Sequence, residues 1–147
     1  MKFSRAFTVI ELVFVIVVLG ILAAVALPKF GATREMADIA KGRGDLATIR
    51  TAIANDRQAR VIQGSASWIT RTSLDTGGLF GGVLMSPMTN SQTSGNWYNN
   101  TLGDGTYEFR VGSSVNVFTY YDSTEADATK RGKILCTSGT ECSALQD

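Results

Sequence analysis

This 147-residue sequence predicts an α+β fold, with one long N-terminal helix laid against a small antiparallel sheet. Three observations lead there. An apolar run over residues 7–27 passes into a stretch whose apolar residues recur every seven positions. Two segments after residue 105 alternate between apolar and polar side chains, as half-buried strands do. The chain between is rich in Gly, Ser, Thr and Asn, which reads as irregular connection. The length allows one domain besides the N-terminal segment.

Composition removes several classes of function. The formal net charge is +1, and beyond Ala6 the balance is 12 basic against 13 acidic residues. Such a chain carries no electrostatic footprint for DNA or RNA. Arg50, Arg57 and Arg60 come nearest to a basic cluster, and their spacing reads as a solvated helix face. Histidine is absent, which removes the commonest general base and zinc ligand. No nucleophile elbow, phosphate loop, dinucleotide fingerprint or C-x-x-C occurs. The carboxylates Glu108, Glu125 and Asp127 have nothing to mark them as a catalytic pair, so an enzyme is not expected.

Within the apolar run the only polar side chains are Thr8 and Glu11, and none follows from Leu12 to Leu27. Twenty-one residues at about 1.5 Å each reach about 31 Å, enough to cross a hydrocarbon core. Twelve of the sixteen residues Leu12–Leu27 are Leu, Ile, Val or Phe, favouring insertion by roughly 5 kcal/mol. A carboxylate near the end of the span costs up to about 3 kcal/mol, so insertion wins but leaves Glu11 unexplained. Three readings follow. Glu11 sits at the interface of a signal anchor; or the run is a secretory signal cut after Ala26, releasing a soluble domain that begins at Leu27; or Glu11 has a partner.

The segment AFTVIELVFVIVVLGILAAVALPKF closely resembles the N-terminus of type IV pilins and of the pseudopilins of type II secretion. In that family a short basic leader ends in a small residue and the mature chain opens with Phe or Met. Counted from Phe7, Glu11 is the fifth residue, Gly20 the fourteenth and Pro28 the twenty-second, as in the family. Ala6 stands where Gly is usual. The match covers about 25 of the 147 residues.

The resemblance implies three segments: a leader over 1–6, a transmembrane and assembly helix over 7–28, and a pilin-like head over 29–147, periplasmic or extracellular. It implies that a prepilin peptidase cuts between Ala6 and Phe7 and N-methylates Phe7. It also implies an inner-membrane location, copies of the chain and other pilins or pseudopilins as partners, and a cytoplasmic ATPase acting through a membrane platform. Glu11 then pairs with the Phe7 ammonium of a neighbouring subunit, since each charge alone in an apolar bundle is strongly unfavourable. Thr8 and Glu11 are assigned to assembly. Gly20 and Pro28 both weaken the helix, and in filaments of the family the segment between them can lose helicity.

Past Pro28 the helix resumes. Ile39, Leu46, Ile49 and Ile53 form one apolar stripe, Gly42 and Gly44 invite local bending, and Gly64 ends the helix. From Gly64 to Thr101 a connection with one short helix or turn near Leu79–Met85 is expected, with Trp68, Trp97 and Tyr98 anchoring it to the core. Asn99-Asn100-Thr101 matches the N-glycosylation pattern. TYEFRV and SVNVFTYYD read as a hairpin turned at Gly112, and KILCT as a third strand, their apolar face covered by the helix stripe.

Cys136 and Cys142 are expected to pair in an oxidising compartment, closing a loop worth on the order of 2 kcal/mol. Major pseudopilins bind calcium in a C-terminal loop, and Asp122, Glu125 and Asp127 are weak candidates for that ion here. Their spacing does not fit an EF-hand.

Overall fold

The apolar run and the heptad stripe belong to one element, α1 (Val9–Ile62), in a computed structural model that describes residues 8–146, without the side chains of 25–30 and 32. The helix is unbroken across Gly20 and Pro28. It ends where Gly64 turns to a φ of 86°, as expected. By its contacts the chain divides into two units, the boundary falling between Arg34 and Glu35.

In the first unit the described side chains from Thr8 to Ala24 are all exposed. The large apolar ones, Val9 to Leu22, keep 37–80% of their surface. Among the described residues no helix is long and apolar enough to cross a membrane. The expected span, 7–28, takes in Phe7 and the side chains of 25–28, which lie outside the described set, as do the leader and Ala6.

The second unit holds the core. Leu46, Ile49 and Ile53 of the stripe are 0–1% exposed and Ile39 packs at its edge. Each contributes roughly 1.5–3 kcal/mol by leaving water. They face a four-stranded antiparallel sheet in the order β1 (Trp97–Tyr98), β2 (Thr106–Val111), β3 (Ser114–Tyr121) and β4 (Lys133–Ser138). The predicted hairpin is present, with Val111 opposite Ser114 and Gly112 at a φ of 57°, the left-handed position that a two-residue turn demands. The alternation sets the faces: Tyr107, Phe109, Val111, Phe118 and Tyr120 point inward and are 0–3% exposed.

Aromatic rings fill the space between helix and sheet. Trp97 lies 5.0 Å from both Phe109 and Phe118, and Phe80 lies 4.4 Å from Tyr107. Trp97 thus anchors the connection as expected, and it also opens β1. Trp68 packs at the core edge.

Packing refines two expectations and corrects a third. Gly42 is not merely a weak point in the helix. A Cβ there would stand 2.6 Å from Phe109 Cε1 and 2.7 Å from Leu145 Cδ2, so the residue must be Gly for strand and helix to meet, whereas Gly44 faces open space. The short helix of the connection, α2, lies at Arg71–Leu74, where Thr70 Oγ1 caps it by accepting from Ser73 N at 3.2 Å. Residues 79–85 form turns, one of the two forms expected there, closed by a bridge between Leu79 and Met88. Nor is the arginine row a merely solvated face. Arg50 Nη2 donates to the Ile134 carbonyl at 3.2 Å, and Arg57 reaches the Ser65 carbonyl at 3.3 Å while lying 5.1 Å over the Trp68 ring. Arg60 pairs with Asp56 at 2.6 Å.

Candidate functional site

The candidate site is the start of α1, and its geometry comes from local backbone chemistry. The first N–H groups of any helix lack intrahelical partners. Here Thr8 Oγ1 accepts from Glu11 N at 3.3 Å, and the Thr8 carbonyl accepts from Leu12 N at 3.1 Å. Thr8 is therefore the N-cap, and Thr8-x-x-Glu11 is the capping-box spacing, with a carboxylate at the third helical residue where the helix dipole favours it. The T-x-x-E signal was there in the sequence beside the apolar run. It places the Glu11 carboxylate in the first turn of its own helix.

Beyond Glu11 the described surface of the helix is apolar on every side as far as Ala24. Gly20 has nothing within 4 Å of where a Cβ would lie, so no neighbour among the described residues requires a glycine there. Ala6 and Phe7, the expected cleavage and methylation positions, lie outside the described residues, and of Pro28 only the helical backbone is described.

The other candidate residues lie in the second unit. Cys136 and Cys142 are joined, with Cα atoms 5.5 Å apart. The oxygens of Asp122 are engaged. Oδ1 accepts from Thr124 N at 3.0 Å and Thr124 Oγ1 at 2.6 Å, and Oδ2 accepts from Arg71 N at 3.4 Å. Burial opposes the charge on Asp122, but those bonds and the Arg71 guanidinium outweigh it and hold its pKa below the ordinary 3.8. Asp127 binds Thr129 Oγ1 and N within its own turn, and these bonds lower its pKa too. The Glu125 carbonyl accepts from Arg131 Nε at 2.6 Å. Among the described residues no group of three or more His, Cys, Asp or Glu is placed to hold a metal. Asn99 is 3% exposed, its Oδ1 accepting from Thr101 N at 2.6 Å and its amide facing Asp104, so the glycosylation pattern marks an inaccessible side chain.

One residue that the sequence reading passed over organises the connection. Asp75, 5% exposed, accepts from Phe80 N at 3.0 Å through Oδ1, and from Gly103 N at 2.9 Å and Tyr107 Oη at 3.0 Å through Oδ2. It ties its own turn and the Gly103 loop to β2 and holds Phe80 at a φ of 58°, a conformation rare for a bulky residue. Burial and the neighbouring Asp75 carboxylate push the Tyr107 hydroxyl far above its usual range, so it stays a donor. Nothing in the spacing of Asp75 announces this, because its partners are up to 32 positions away.

Comparison with protein-family models, curated proteins and solved structures finds no match.

Proposed function

We propose that the chain is a structural subunit of a type IV pilus-like or type II secretion pseudopilus filament, cleaved between Ala6 and Phe7, N-methylated at Phe7 and assembled through its N-terminal helix. One observation carries the reading: a helix apolar on all sides, its described side chains exposed from Thr8 to Ala24, interrupted only at its start by Thr8 and Glu11. Such a surface needs cover, either lipid before assembly or other copies of the helix after it. Pairing of Glu11 with the Phe7 ammonium of the next copy supplies register, since a slipped copy buries both charges unpaired.

Between the two kinds of filament, the Cys136–Cys142 bond favours the surface pilus used for adhesion, motility or DNA uptake. Asp122, whose oxygens are already committed to Thr124 and Arg71, weighs against the calcium loop of a major pseudopilin. In both cases the platform, ATPase and peptidase are supplied by other proteins.

A mass spectrum of the protein sheared from intact cells, taken beside the membrane fraction, tests this. A sheared form beginning with N-methyl-Phe7 is the expected result for a pilus. The same processed form confined to the membrane fraction indicates the pseudopilus, and a chain beginning at Leu27 overturns the reading.

A further inference from the structure

Residues 139–146 form a strap. After β4, Gly139 passes directly over Asn116, and the Glu141 amide donates to Asn116 Oδ1 at 2.9 Å. The short helix α3 (Cys142–Gln146) then brings Leu145, 2% exposed, into the seat left by Gly42 beside the Phe109 ring. Gln146 Oε1 accepts from Cys136 N at 3.2 Å, and Arg43 Nε donates to the Ala144 carbonyl. The strap therefore covers both a point on α1 and the outer edge of β4.

What holds it there is limited. A helix of five residues has no stability of its own. The strap has one buried apolar anchor and a few side-chain bonds, and the Cys136–Cys142 bond joins its first helical residue to β4. That bond closes only a six-position loop and crosses no boundary of the aromatic core, where Trp97, Phe109 and Phe118 pack without it.

We propose that the Cys136–Cys142 bond is a redox-operated latch on this strap, and that opening it uncovers the Gly42 seat and the β4 edge while the helix–sheet core stays folded. The step needs a dithiol reductant, of protein or small-molecule class. Two electrons pass from the dithiol to the sulfur pair, the S–S bond breaks, each cysteine sulfur takes one proton, and the dithiol becomes a disulfide. Oxidation by a disulfide donor reverses it and closes the strap. The device is independent of how the N-terminal helix is covered.

Hydrogen exchange on the full chain in detergent, before and after complete reduction by dithiothreitol with thiol mass-tagging as the check, tests it. The reporters are the amides of Cys136, Glu141 and Leu145, whose acceptors are Gln146 Oε1, Asn116 Oδ1 and the Glu141 carbonyl. Reduction should speed their exchange about tenfold or more, while amides of β2 and of β3 before its junction with β4 stay within about twofold. The Cys136→Ser/Cys142→Ser double variant should reproduce that pattern without reductant. Leu145→Ala, with the bond intact, should leave the Cys136 amide slower than in the reduced chain. Unchanged strap protection after full reduction overturns the latch. Loss of sheet protection in step with the strap, or a double variant that does not fold, overturns it as well, because the bond would then support the whole head.

Discussion

The helix residues 9–24 and the head that begins at Glu35 treat the same kind of side chain in opposite ways. Phe14 keeps 69% of its surface and Phe109 keeps 0%; Ile16 keeps 58% and Ile49 keeps 0%. In the head, apolar residues are spaced to form one stripe or one strand face, and a partner face within the same chain buries them. In the first unit they follow one another without a polar face, so no single packing partner could cover them all. A periodic apolar pattern is a demand that a chain can meet by folding. A continuous one, as over residues 9–24, is left unmet by the described residues of this chain.

Matched substitutions of the two phenylalanines put that contrast to its hardest test. Phe109→Ala removes a ring in contact with Trp97 and beneath Gly42, and should destabilise the head by about 3–5 kcal/mol in urea unfolding. Phe14→Ala should leave the same transition within about 0.5 kcal/mol and, if the chain assembles as proposed, reduce the yield of filaments instead. A large loss of head stability in the Phe14 variant would show that the first unit is not independent of the head's folding.

Next in size is Asp75. Its replacement by Ala strands the Phe80 and Gly103 amides and the Tyr107 hydroxyl, and should cost about 3 kcal/mol by the same urea measurement. Asp75→Asn keeps the shape and one acceptor oxygen and should cost less. The position also shows where sequence reading stops. β2 and β3 were legible because Tyr107, Phe109 and Val111, and then Phe118 and Tyr120, repeat with period two; the stripe Leu46, Ile49 and Ile53 was legible by its helical period. β1, two residues long, and α3, five, are too short to carry any period. Gly42 looked like a weak point because the ring that requires it comes 67 positions later, and Asp75 looked like any loop aspartate. At the candidate site the apolar run and Glu11 stood out at once, whereas the Thr8 cap became plain only from the helix's first residue.

A smaller effect separates the two roles of Glu11. The capping-box spacing allows its side chain to reach back to the Thr8 amide, a contribution of about 0.5–1 kcal/mol that Glu11→Gln would largely keep and Glu11→Ala would lose. As a charge paired between copies it is needed ionised, and both variants lose that. Filament yield, read beside helix content in detergent, tells them apart: assembly lost equally in Gln and Ala supports the charge pairing, and assembly kept in Gln assigns Glu11 to its own helix alone.

The smallest effect belongs to the loop that follows β3. The folded pKa of Asp122 lies below the ordinary 3.8, so its ionised form stabilises the head above that value, and the contribution disappears as pH falls through the lower folded value. The window is thus the acid side of pH 3.8, and neutral to mildly acidic conditions should leave the loop intact. Trp68 reports on it, since its amide donates to Ser123 Oγ at 2.6 Å, one residue beyond Asp122. Acid titration followed by Trp68 fluorescence, with Trp68→Phe as the control, should show a step in that window that Asp122→Asn lacks. A step that survives the substitution places the acid-sensitive group elsewhere, with Asp127 and its bonds to Thr129 the next position to test.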